Sequence, residues 1–61
     1  MISDILAKAI KDITQEAEAH PELYKEDDNW SHTMVQYTVG SLETTRKYFK
    51  STEEAHNGQS G

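Results

Sequence analysis

The 61-residue chain contains no cysteine, one proline, three glycines, one tryptophan and one phenylalanine. Without cysteine, disulfides and thiolate zinc sites are excluded. With so little glycine there is no phosphate-cradling loop, and neither a His-Glu-x-x-His nor a Gly-x-Ser-x-Gly element is present. No window approaches the roughly 20 consecutive apolar residues that a membrane-spanning helix requires. The opening residues, Met1 to Ile13, lack the basic start and apolar run of a secretion signal. Asn29, Trp30 and Ser31 have the form of a glycosylation sequon, and without a secretion signal this is read as chance. The chain is therefore expected to be cytoplasmic and to bind neither membrane nor nucleic acid directly.

Basic residues are also scarce, six against eleven acids, for a net charge of −5. The imbalance is local. Residues 1–11 hold Asp4, Lys8 and Lys11 and sum to +1. Residues 12–28 hold Asp12, Glu16, Glu18, Glu22, Glu26, Asp27 and Asp28 against Lys25, a sum of −6. Residues 29–61 hold three acids and three bases and are neutral. An acidic middle repels phosphate backbones and anionic membranes and attracts basic protein surfaces.

Apolar residues make up only 34% of the chain. A domain of about 60 residues buries only about 60% of the surface that its unfolded chain exposes, so its core is marginal. Small folds offset this with disulfides, a metal or a second chain.

What is present is helical periodicity. Ile2, Ile5, Leu6, Ala9, Ile10, Ile13 and Ala17 recur at helical spacing. The first helix is expected over residues 4–19, with Ser3 as its N-cap and Pro21 ending it. Opposite charges four apart, Asp4–Lys8 and Lys8–Asp12, lie on its outer face. Pro21 can also begin a short helical turn over "PELYKED". Asp27, Asp28 and Asn29 suit the cap of a second helix, expected over residues 30–53. Its seam is Val35, Thr38, Leu42, Thr45 and Phe49, widened by Met34, Val39 and Tyr48. Glu43 and Lys47 are spaced for an ion pair.

The alternative over this stretch is a β-hairpin pairing 33–39 with 42–48 around Gly40 and Ser41. Its alternation fails at Thr44 and Arg46, which favours the helix. Gly40 inside a helix then suggests a close backbone approach or a bend. After residue 56 the polar "NGQSG" reads as a flexible tail, with Gly58 placed to cap the helix. Residues 1–56 thus form one all-α domain, a helical hairpin. One hairpin leaves apolar surface uncovered, so the hairpin is expected to dimerise into a four-helix bundle. Leu6, Ile10, Ile13, Val35, Leu42 and Phe49 are the expected dimer interface.

Candidate sites are weak. An EF-hand register beginning at Asp27 fails at His32, where glycine is needed, and at Thr38, where a bidentate glutamate is needed. Asp12, Glu16 and His20 share one helix face. Glu53 and His56 have the Glu-x-x-His spacing of di-iron bundles without the other ligands. Neither set identifies a metal, and no cofactor or catalytic residue is assigned. Arg46, Lys47 and Lys50 beside Tyr48 and Phe49 are too few to bind a nucleic-acid strand against the acidic middle.

The chain reads as a small regulator that binds and modulates another protein, of the kind that includes viral proteins directed at a host factor. Glu22, Glu26, Asp27 and Asp28 would steer it toward a basic partner, and Tyr24 and Trp30 would anchor it. An acidic DNA mimic is the second reading, and a metal-dependent enzyme or metal carrier a remote third.

Overall fold

A computed structural model of the chain describes residues 1–24 and 30–60, with side-chain surroundings through His56. Three helices follow one another: α1 (Ile2–Ala19), α2 (Pro21–Tyr24) and α3 (Trp30–Ser60). No strand occurs among the described residues, so the β-hairpin alternative does not stand. The physical reason lies in the second arm, where Thr44 and Arg46 break the period of two. A period of three and four runs through both arms without interruption.

Both helices are longer than expected. α1 begins at Ile2, so Ser3 sits inside the first turn and is not its N-cap. Pro21 ends α1, and His20 donates its backbone N–H to the Glu16 carbonyl at 3.2 Å as the last bond of that helix. Pro21 then opens α2 at its first position, where a missing N–H costs nothing. The α2 amides of Leu23 and Tyr24 both donate to the His20 carbonyl, at 3.0 and 3.2 Å. α3 runs through Gly58, the residue expected to cap it, to Ser60.

α1 and α3 pack antiparallel. The hydrogen-bonded pair Ser3 and Glu53 closes the open end, and Tyr24 meets His32 at the turn end. Ser3, Leu6, Ile10, Ile13 and Ala17 line the inner face of α1 at alternating spacings of three and four. His32, Val35, Val39, Leu42, Arg46, Phe49 and Glu53 do the same on α3. This is the seam of an antiparallel coiled-coil pair. It differs from the expected one. Thr38 and Thr45 are exposed, while Val39 and Arg46 take the inner positions. Apolar spacing alone leaves the stripe's tilt open, and only the partner helix decides which edge turns inward.

The seam is shallow. Ala17 is the only buried apolar residue among those described, at 8% exposure, and no described side chain is fully buried. The molecule measures 49 × 17 × 10 Å, with a radius of gyration of 14.8 Å. A compact domain of this length would have a radius near about 10.5 Å. The hairpin is a single layer of helices, and apart from Ser3 and Ala17 each inner side chain stays partly open to solvent.

Gly40 lies inside α3 with a continuous helix on either side. A Cβ placed on it would meet no described atom within 4 Å. The close approach expected there does not occur. Thr44 Oγ1 donates to the Gly40 carbonyl at 3.2 Å, a back-bond that slightly loosens the local helix.

Candidate functional site

Two features stand out, the turn end of the hairpin and an uncharged arc that runs along α3. At the turn end, α2 is too short to hold itself. His32, one turn into α3, pins it: its Nδ1 lies 2.6 Å from the Tyr24 carbonyl. A carbonyl only accepts, so that nitrogen carries the proton. The bond fixes the half-buried Tyr24 where it borders the grooves on both sides of the hairpin.

Trp30 is the first residue of α3 and is 80% exposed. It lines a groove of about 340 Å³ with Ile13, Tyr24, Ser31, Met34, Val35 and Thr38. None of these residues is charged. Leu23, next to Tyr24 in α2, is also half exposed. The opposite groove, about 460 Å³, has Ala17, Tyr24, Val35 and Val39 in its lining and is bordered by Thr14, Glu18, Gln36 and Glu43.

Of the residues expected to bind a partner, Glu22, Tyr24 and Trp30 come together at this end. Glu26, Asp27 and Asp28 lie outside the described residues. Glu22 is already engaged, with its Oε1 3.3 Å from His20 Nδ1, and Glu16 Oε2 lies 3.2 Å from the other ring nitrogen. His20 therefore ties the end of α1 to the start of α2 through two carboxylates. Both contacts are donated at once only by the doubly protonated ring.

The Asp12, Glu16 and His20 set divides. Asp12 pairs with Lys8 at 2.8 Å, and that hydrogen bond, with the charge attraction behind it, raises the Lys8 pKa. Lys8 chooses Asp12 over Asp4, and neither Asp4–Lys8 nor Glu43–Lys47 closes into an ion pair. Among the described residues no group of three His, Asp or Glu side chains converges on a metal position. Glu53 of the Glu-x-x-His pair is bound to Ser3. Among the described residues no helix is long and apolar enough to cross a membrane.

The six residues expected at a dimer interface, Leu6, Ile10, Ile13, Val35, Leu42 and Phe49, all lie on the hairpin's own seam, half-buried. They hold α1 to α3 and show only their outer edges. The surface left over is elsewhere. A helix turns about 100° per residue. On that wheel His32, Glu43, Arg46, Lys47, Lys50, Glu53 and Glu54 fall within an arc of about 120°. These are all the charged and histidine residues of 30–55. The remaining two thirds of α3 carries no charge over that length, and Met34, Tyr37 and Tyr48 are exposed on it. Tyr48 meets Phe49 edge to face, with ring centres 5.4 Å apart. On α1 the flank on the same side as Ile13 carries Ile2, Ile5 and Ala9, with Ile5 67% exposed, and also Asp12 and Glu16, which line a groove of about 410 Å³ with Ile13, Ala17 and Val35.

Sequence reasoning missed His32 and Glu53 as structural determinants and took Ser3 for an N-cap. Each works across a distance that local pattern does not encode. The uncharged arc of α3, by contrast, is present in the spacing of its charges.

No protein-family model, curated protein or solved structure matches the chain.

Proposed function

We propose that the chain is a non-catalytic binding protein, a homodimer of helical hairpins forming a four-helix bundle, that docks on another protein through its turn end. The observation that carries this is the juxtaposition at that end. An exposed Trp30 and Leu23 stand beside Tyr24, with Glu16 and Glu22 at the rim. Aromatic anchors inside a charged rim are the usual composition of a protein-binding hot spot. The acidic residues 12–28 supply long-range steering toward a basic partner, a contribution that weakens with salt. Dimerisation is supported by the shallow seam, since one hairpin buries almost nothing completely.

The test is capture from the native cell's lysate with tagged wild type, Trp30→Ala, and Asp27→Lys/Asp28→Lys. A stoichiometric protein held by wild type and lost in both variants supports the reading. Equal capture by all three, or capture of nothing but the chain itself, overturns the docking role. A captured DNA-binding protein that duplex DNA displaces would reassign the acidic band as a phosphate mimic.

A further inference from the structure

We propose that the groove over Gly40, on the side of the hairpin away from Trp30, seats a basic helix of a partner protein. Small apolar residues of that helix lie against Gly40, and its lysine or arginine side chains reach Glu18 and Glu43. This rests on the reading of the chain as a binding protein and names the element of the partner that it takes.

Three observations carry it. The first is the glycine. Glycine destabilises a helix interior relative to alanine, and what it gives in return is room for another backbone to come close. Nothing in the chain uses that room, since a Cβ on Gly40 would meet no described atom within 4 Å. Gly40 stands instead in the lining of the groove, and the open space above it belongs to the groove.

The second is shape. Ala17, Val35 and Val39 make an apolar floor between α1 and α3, in a groove of about 460 Å³. From Gln36 to Glu43 the groove runs about 10 Å along α3, or about two turns. A helix laid between two packed helices fills such a trough with one apolar stripe.

The third is charge. Among the described residues two carboxylates line the groove, Glu18 from α1 and Glu43 from α3, and no lysine or arginine does. Neither carboxylate has an ion-pair partner among the described residues, whereas Asp12 and Glu16 on the other side are held by Lys8 and His20. Lys11, Lys47 and Lys50 lie further toward the open end of the hairpin. The cations of the occupant therefore belong over the turn half, between Glu18 and Glu43.

The probe is a synthetic helix of about 15 residues, an alanine and leucine stripe flanked by lysines, titrated against the full chain by calorimetry at physiological ionic strength. Wild type is compared with Gly40→Leu, Glu18→Gln/Glu43→Gln, Asp12→Asn/Glu54→Gln and Trp30→Ala, each checked by circular dichroism. Gly40→Leu should weaken binding at least about tenfold, and Glu18→Gln/Glu43→Gln at least about fivefold. Asp12→Asn/Glu54→Gln removes the same charge outside the groove and should bind within about twofold of wild type, because screening acts over about 8 Å. Trp30→Ala should match wild type. No binding at about 1 mM peptide, or equal loss in the two charge variants, overturns the proposal. Loss in Trp30→Ala with Gly40→Leu unchanged moves the helix to the Trp30 groove, which overturns this site and leaves turn-end docking standing. A wild-type dimer that Gly40→Leu dissociates and the peptide leaves intact assigns the groove to a second copy and overturns the basic partner. Should Gly40→Leu unfold, the contrast between the two charge variants decides.

Discussion

The Glu53 carboxylate accepts both the backbone N–H of Ser3, at 3.1 Å, and its hydroxyl, at 2.5 Å, across 50 residues of sequence. Ser3 lies in the first turn of α1, whose N–H groups have no carbonyl within the helix to bind. Glu53 supplies the missing acceptor from the other helix and brings negative charge to the positive end of α1. The pair also ends the seam, so it fixes how far α1 and α3 slide along each other. Glu53→Ala should destabilise the hairpin by ~1–2 kcal/mol in urea denaturation, whereas the neighbouring exposed Glu54→Ala should be neutral. Equal effects of the two substitutions would remove the cap from the account.

Gly40→Ala should stabilise the protein by ~0.5–1 kcal/mol. The position is interior to α3, and no described atom stands within 4 Å of where the new methyl would begin. A higher urea midpoint at constant slope is the expected outcome. A loss of stability would mean that a second chain approaches α3 there.

Arg46 occupies a seam position between Leu42 and Phe49 and forms no ion pair among the described residues. A half-buried charge in a seam adds little stability and can set register. Arg46→Leu should raise stability by ~1 kcal/mol. It should also broaden the range of oligomers seen in sedimentation, because a polar constraint on alignment is gone. Lower stability with an unchanged oligomer would show that the guanidinium has a partner in the assembled protein.

His32→Phe should leave global stability within ~1 kcal/mol while releasing α2. The amides of Leu23 and Tyr24, which donate to the His20 carbonyl, should exchange with solvent distinctly faster. Unchanged exchange at those two amides would show that the His32–Tyr24 bond does not hold the turn end.

Much of the fold is legible in the order and spacing of the residues. Ile2 to Ala17 at helical spacing and Pro21 after His20 mark α1 and its end. The failure of alternation at Thr44 and Arg46 favours one long helix over a hairpin of strands. The candidate site is legible in part. Tyr24 and Trp30 stand out by residue type, but nothing local says that His32 reaches back to the Tyr24 carbonyl. Ser3 resembles an N-cap because serine before an apolar run is a common cap. The helix begins two residues earlier than such a cap implies, at Ile2, and the serine is claimed by Glu53. Thr38 and Thr45 fit a heptad as well as Val39 and Arg46 do, since two seams that differ by a small rotation have the same spacing.

The sequence by itself determined that this chain forms helices, where α1 stops, and that α3 segregates its charges into one third of its circumference. Those are consequences of spacing, of proline geometry and of residue type, and each acts within a few turns of helix. The tertiary structure alone decided which edge of each apolar stripe turns inward, that Arg46 and Glu53 share the seam with Leu42 and Phe49, and that the expected dimer residues are used within the hairpin. These choices belong to the relative rotation and slide of two helices. Rotation and slide are set by contacts between residues as far apart as Ser3 and Glu53, for which a local pattern carries no record.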